Sequence, residues 1–317
     1  GDHLRRKSLR RRPYPRHGRG SGRGRDDLRA VRAAQGQHPR RPRQPVRGRG
    51  KAHPVRRVMI PKPKSGFRPL GIPTMYDRAL QALFVMALEP EFEATFEENS
   101  YGFRSGRSPI NAMKQIQLCL KQSDKFVLDA DISKCFDKIN HEKLLALIGH
   151  KGKVRNQIRA WLESGNIFEG IFESTDTGTP QGGVISPLLS NIALNGIEKR
   201  IGDWAESQRL YRPNGKLVDK RKDRRKSIIF VRYADDFVVM NHNLSVIQKC
   251  KKIISEFLAE RGLELSDAKT KIVYTRIPFE KNEPGFEFLG FKIKHFNTKK
   301  IIQRNTKKIS RVSACQP

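Results

Sequence analysis

The chain has 317 residues, 37% of them hydrophobic, and carries a formal net charge of +32 with a pI near 10.5. That apolar content supports two domains, or one with subdomains, and a positive charge of this size implies an extended polyanionic partner, nucleic acid first. The composition excludes a membrane span, because the longest apolar stretch, 79–88 with Gln81 inside it, falls well short of the ~20 residues a helix needs. It also excludes a zinc or disulfide framework, because Cys119, Cys135, Cys250 and Cys315 are far apart and lack metal-ligand spacing.

Residues 1–51 form an Arg/Gly/Pro tract with almost no large apolar side chains. Such a segment buries too little surface to offset its ordering entropy and is expected to be disordered. It reads either as an RNA-binding arm of RGG type or as an out-of-frame start outside the selected domain. Composition changes at His53-Pro54-Val55. From there 55–62 reads as a basic strand, Lys64-Ser65-Gly66 as a turn and 67–73 as the returning strand. Arg56, Lys62 and Arg68 recur every six residues, an even spacing that suits one side of a hairpin. They are candidates for a triphosphate clamp, against the plainer reading of a solvated basic edge.

The stretch 77–89 places Leu80, Leu83, Phe84, Ala87 and Leu88 on one helical stripe, expected to be core, with Pro90 closing the helix. The glycine-bearing loop 100–107 offers Arg104 and Arg107 to a nucleic-acid backbone, and Ser108-Pro109 reads as the cap and first residue of another helix. A strand follows at 125–132. Asp129 and Asp131 share one of its faces, so periodicity does not choose between them as a metal ligand. Phe136 reads as a core aromatic or a substrate contact, and Asn140 caps a helix beginning near His141.

Residues 178–187 are a glycine loop whose backbone can approach a ligand closely. Ser186-Pro187 then opens a helix with Leu189, Ile192, Ala193, Ile197 and Ile201 on its apolar face. The basic, glycine-containing stretch 216–226 reads as a solvated loop available to touch nucleic acid. Next, the apolar runs 228–231 and 237–240 flank Tyr233-Ala234-Asp235-Asp236. Paired buried strands there present two adjacent carboxylates at a turn on one sheet edge. Like charges among interior strands need a cation, and Mg²⁺, which combines carboxylates with water and substrate phosphates, is the natural one. The pattern points to phosphoryl transfer, against the plainer reading of a solvated turn. Ser245 caps a helix that Gly262 stops, strands at 271–275 and 286–293 complete a sheet, and beyond His295 the chain is basic and polar.

Taken together, these blocks resemble reverse transcriptases encoded by bacterial group II introns, from Pro54 to Ile293 and in family order. The resemblance is carried by the segments 57–62, 68–74 and 100–108, by Asp131-Ile132 through Phe136-Asp137, by the loop Pro180-Gln181-Gly182-Gly183 through Asn191, by Tyr233-Ala234-Asp235-Asp236 and by Phe288-Leu289-Gly290.

The resemblance implies an α+β, right-hand polymerase fold: fingers over 52–125, a mainly antiparallel palm sheet packed on helices over 126–293 with interleaved fingers elements, and a truncated thumb connection or tail over 294–317. It implies that Asp131, Asp235 and Asp236 form a carboxylate triad for two Mg²⁺ ions, with Mn²⁺ as substitute. Lys62 and Arg68, assisted by Arg56, would neutralise the triphosphate. Phe136 would be a steric gate against the ribonucleotide 2′ hydroxyl, and Pro180, Gln181 and Gly182 would line the nucleotide pocket. Lys269 matches a late palm motif and is read as a proton donor to pyrophosphate or as an ordinary surface lysine. The implied partners are an RNA template, a DNA primer, deoxynucleoside triphosphates and group II intron RNA, with no membrane and a bacterial cytoplasmic location. Two departures stand out. The family's N-terminal template-gripping motif is not found, and its thumb and maturase region is not reached before Pro317. The alternatives are therefore a truncated, inactive RNA-binding remnant or a related reverse transcriptase of phage defence or a retron.

Overall fold

A computed structural model describes residues 50–61, 66–121, 123–179 and 181–295, with backbone alone for 302–304. The tract 1–49, Lys62, Pro180, Cys315 and most of the C-terminal tail lie outside the described residues.

β1 (Val55–Pro61) and β2 (Phe67–Ile72) form the expected antiparallel hairpin. Its register sets Arg56 opposite Ile72 and Ile60 opposite Arg68, so the exposed Arg56 and Arg68 share one face.

α1 (Met75–Glu93) runs through Pro90 instead of stopping at it. Pro90 and Met86, one turn earlier, are both exposed, so water can take the carbonyl that the proline leaves unpaired. The expected core stripe holds in part: Leu88 is buried and Leu80 and Phe84 pack against the core, but Leu83 and Ala87 are exposed. Leu83 is 61% exposed, while Asp77, Gln81, Leu88 and Phe92 are buried. Polar anchors turn the helix. The Asp77 carboxylate accepts from the Thr74 hydroxyl at 2.7 Å and from Trp161 Nε1 at 3.1 Å, and Gln81 Oε1 accepts from the Val184 backbone at 2.8 Å. A buried polar group must be satisfied, and these contacts outweigh the apolar pattern.

α2 (Pro109–Leu120) starts at a capping box in which Ser108 and Asn111 bond reciprocally. β3 (Phe126–Asp131) is followed by the short α3 (Cys135–Lys138), then α4 (His141–Ile148), capped by Asn140, and α5 (Gly152–Leu162). β4 (Asn166–Phe168) and β5 (Ile171–Glu173) return to the hairpin sheet, giving the order β2-β1-β4-β5 with β1 and β4 parallel.

The single helix expected after Ser186-Pro187 is two, α6 (Ser186–Leu194) and α7 (Ile197–Ser207), because Gly196 takes φ +102° between them. The basic stretch read as a loop contains α8 (Arg221–Ser227).

β6 (Ile229–Tyr233) and β7 (Asp236–Asn241) flank the acidic turn, α9 (Leu244–Ala259) is capped by Asn243 and not by Ser245, and β8 (Lys271–Tyr274) follows. The central sheet has the order β6-β7-β3-β8 and is antiparallel throughout. The stretch 286–293 does not join it. β9 (Phe286–Phe288) and β10 (Phe291–Ile293) fold back on each other through Leu289 and Gly290, at φ +50° and +82°, and form a separate sheet with β11 (Ile302–Arg304).

Both faces of the central sheet are covered. Leu128, Ala130, Phe230, Phe237 and Val239 belong to the larger core with the buried faces of α4, α6 and α9. Val127, Val231, Val238, Met240 and Val273 pack with Met113 and Ile116 of α2 and with Phe286, Phe288 and Ile293. Two buried faces explain why these strands are continuous apolar runs without polar alternation. Among the described residues no helix is long and apolar enough to cross a membrane.

Candidate active site

The acids meet at one end of the central sheet. Asp131, last residue of β3, is the register partner of Asp236, first residue of β7. Tyr233 pairs with Asp236, so the β6–β7 connection is only Ala234-Asp235. Asp235 therefore occupies the turn and Asp236 opens the strand, where the sequence had suggested that both lie on the turn. Asp129 shares the face of Asp131 but stands opposite Val238 and ion-pairs with Lys271 at 3.6 Å.

Burial and mutual repulsion disfavour charge here. Asp236 is pushed up to about 6 by removal from water and then by Asp235, Asp131 and Asp129. Burial also raises Asp129 to about 6 against the pull of Lys271. Asp235 is raised by burial and by Asp131, while Arg68 and Lys269 pull it back. The influence of Arg68 puts the hairpin cation within electrostatic reach of the turn. Lys269, its side chain 66% exposed, donates from Nζ to both carboxylate oxygens of Asp131 at 3.0 and 2.9 Å.

Among the described residues no group of three or more His, Cys, Asp or Glu side chains could hold a metal ion by itself. The three acids are therefore not a closed cage. Mg²⁺ does not require one, because one or two carboxylates suffice when substrate phosphates and water complete the shell. The donors fit that arrangement: hard oxygens at a single sheet end, repelling one another, with an ammonium group already drawn onto Asp131.

A network behind the turn was not legible as functional in the sequence. Ala234 is held at φ +59°, a left-handed conformation that costs a non-glycine residue about 1 kcal/mol or more. The fully buried Arg232 donates from Nη1 to the Ala234 carbonyl at 3.1 Å and to Asn191 Oδ1 at 3.0 Å. Asn191 in turn donates to the Gly102 carbonyl at 2.9 Å. Gly102 lies so close that a Cβ on it would stand 2.2 Å from the Ala234 nitrogen. Residues 99–101 complete the brace through backbone bonds of 2.9 Å from Tyr101 to Arg232 and from Arg232 to Asn99. Burial lowers Arg232 to about 10, with Glu97 opposing the shift, so it stays protonated at neutral pH. The available signal was a lone cation within an apolar run that two covered faces required to be interior.

The glycine loop is pinned at both ends. Thr179 N–H donates to the Phe136 carbonyl at 2.5 Å and Gly178 N–H to the Ile139 carbonyl at 2.8 Å. At the other end the Gln181 carbonyl accepts from Gly71 of β2 at 2.6 Å. Gly182, at φ +113°, has no room for a side chain, because a Cβ would meet the Gly71 carbonyl at 2.7 Å. Backbone bonds thus tie the loop to Phe136 at one end and to the hairpin bearing Arg56 and Arg68 at the other. Cys135, beside Phe136, is pushed up to about 12 by burial and by Asp235, which places α3 next to the acids as well.

Arg104 is a correction. Its side chain is 2% exposed, it grips the Glu93 carboxylate through Nε and Nη2, and its Nη1 donates to the Glu97 and Ser100 carbonyls at 2.6 and 2.7 Å. It ties the loop to α1 and, buried there, is not presented to a phosphate. Arg107 differs, being only half-buried: it donates from Nη1 to the Glu98 carbonyl, and its guanidinium carbon lies 5.5 Å from the Tyr101 ring centroid.

An antiparallel sheet with facing acids at one end, beneath a basic hairpin and a pinned glycine loop, defines a polymerase-type palm. The chain belongs to the reverse transcriptase (RNA-dependent DNA polymerase) family, whose model it matches over residues 60–293. It is 32% identical over 263 residues to Protein YkfC of Escherichia coli (strain K12), covering 76% of this chain and 66% of that protein. It is likewise 32% identical over 288 residues to the Group II intron-encoded protein LtrA of Lactococcus lactis subsp. cremoris, covering 76% of this chain and 47% of that one. The chain thus spans about two thirds and about half of these relatives. Among solved structures it resembles telomerase from Candida albicans in complex with a telomeric RNA fragment, with a TM-score of 0.58 at 15% identity over 85% of this chain and 48% of that one. That likeness speaks for the fold.

Proposed function

We propose that this chain carries the fingers and palm of an RNA-directed DNA polymerase of group II intron type, with 52–125 as partial fingers and 126–293 as palm. The carrying observation is the register pairing of Asp131 with Asp236, with Asp235 on the adjoining turn and Arg68 within electrostatic reach of it. Asp131 and Asp235 would hold divalent ions jointly with triphosphate oxygens. Bound there, such ions supply charge neutralisation and a more acidic primer 3′ hydroxyl.

The protein's own groups do the rest. Arg68 and Arg56, on one face of the hairpin, take the charge of the triphosphate, with Lys62 as third member of the clamp. Phe136 excludes a 2′ hydroxyl at the sugar, and Gln181 and Gly182 present backbone to the incoming nucleotide. Lys269 leaves Asp131 as the site fills and donates a proton to the departing pyrophosphate. The net charge of +32 supports binding to template, primer and intron RNA, and relatedness to a group II intron-encoded protein supports a role in intron mobility and splicing.

Primer extension on an RNA template tests this reading. The wild type should incorporate deoxynucleotides only with Mg²⁺ or Mn²⁺, and Asp235→Ala should lose at least about 10²-fold in rate. Equal incorporation by both proteins would reject the assignment.

A further inference from the structure

At the far end of the central sheet, about 17 Å along β7 from the acids by strand rise, lies a cavity. Its volume is about 290 Å³, and its lining includes Trp204, Arg209, Tyr211, His242 and Asn243. Trp204 leans on the core from α7. Tyr211 stands half exposed on a small hairpin closed by bonds from Val218 to the Leu210 carbonyl and from Arg212 to the Lys216 carbonyl, each 2.8 Å. It has no aromatic ring partner among the described residues. Burial, then the Lys125 ammonium, hold His242 below its ordinary value, which leaves a neutral imidazole hydrogen-bonded to the Tyr211 backbone.

The charge around this cavity is one-sided. Residues 209–226 contain nine Lys or Arg against two Asp. Arg224 and Arg225 are folded inward, Arg224 onto the Glu206, Val218 and Asp219 carbonyls and Arg225 onto the Asp203 and Glu206 carboxylates. Arg209, Arg212, Lys216, Lys220, Arg221 and Lys222 are exposed and make no ion pair among the described residues. Free cations interspersed with a half-exposed aromatic ring beside a cavity of nucleobase size form the pairing that binds single-stranded nucleic acid: cations track phosphates while a base stacks on the ring.

We propose that this face is a second nucleic-acid site, separate from the catalytic cleft, which takes a single-stranded segment with one unstacked base seated against Tyr211. It goes beyond the polymerase reading and does not require polymerase activity.

The test uses the full chain. Its acidic cleft is first saturated with unlabelled primer–template, and a fluorescent oligonucleotide of about 12 nucleotides, RNA in one arm and DNA in the other, is then titrated by anisotropy. Binding should persist, and the tighter arm identifies the natural strand. Tyr211→Ala should weaken it about tenfold, the loss of one base stack. Arg212→Ala with Lys216→Ala should flatten the salt dependence of the binding constant by about 1.4 log units per log unit of salt, two phosphate contacts' worth. Both variants should melt as the wild type does and extend a saturating primer–template at the wild-type rate. Full displacement of the oligonucleotide by primer–template, or wild-type binding by both variants, overturns the proposal. A wild type without primer extension that still binds in this way leaves the second site standing and rejects only the polymerase reading.

Discussion

Asp131 and Asp236 face each other across the antiparallel β3–β7 pair, and this one register relationship converts two acids 105 positions apart into neighbours at a single sheet end. A slip of one residue in β7 would send Asp236 to the opposite face, so the buried Val238 and Met240, two and four residues on, hold the acid in place by holding the register.

The pairing has a consequence for pH. Asp236 and Asp129 each rest at about 6 in the folded chain, against an ordinary value of 3.8. The folded form therefore holds these protons more tightly than the unfolded form. Their stabilising contribution is complete below about pH 4, declines as pH rises through about 6, and then levels off. Thermal melting of the metal-free protein from pH 4 to 7.5 should show a smaller decline for Asp236→Asn than for the wild type, and added Mg²⁺ should raise the melting temperature mainly above about pH 6. Identical slopes for the two proteins would disprove the coupling.

Gly102 carries the Ala234-Asp235 turn on its bare backbone. In Gly102→Ala the new Cβ displaces Ala234, whose nitrogen lies 2.2 Å from that position. A shift near 1 Å at the turn should slow primer extension about 10²-fold, while primer–template affinity and the far-ultraviolet spectrum stay near wild type. Wild-type rates for this variant would show that the turn tolerates displacement.

For Arg104 the expectation is structural. Arg104→Met removes the guanidinium that holds Glu93 and two carbonyls, and should destabilise the protein by about 3 kcal/mol in urea unfolding. The salt dependence of RNA binding should not change, because no phosphate contact is lost. A flatter salt slope would return Arg104 to the nucleic-acid surface.

Lys269 separates stability from activity. Its partner Asp131 is 25% exposed and the lysine itself 66%, so Lys269→Ala should cost under about 1 kcal/mol. Single-turnover extension should fall about 10²-fold, and half-saturation by Mg²⁺ should shift to lower concentration once the competing ammonium is gone. An unchanged rate would return Lys269 to the ordinary surface.

The acidic hairpin was legible in the sequence because its determinants are local. Apolar runs on either side of Tyr233-Ala234-Asp235-Asp236 can pair only through a tight turn, and the cations of the 55–72 hairpin follow from the same short-range rule. What each charge does was decided elsewhere. Asp77 turned inward because Trp161, 84 residues away, supplied a donor, and α1 rotated Leu83 into solvent as a result. Arg104, read as a phosphate contact, found Glu93, and Arg232 found Asn191 and the Ala234 carbonyl. Periodicity records how apolar side chains repeat along the chain. The cost of burying a polar group depends on whether a distant partner arrives to satisfy it, and only the tertiary structure brings that partner into reach.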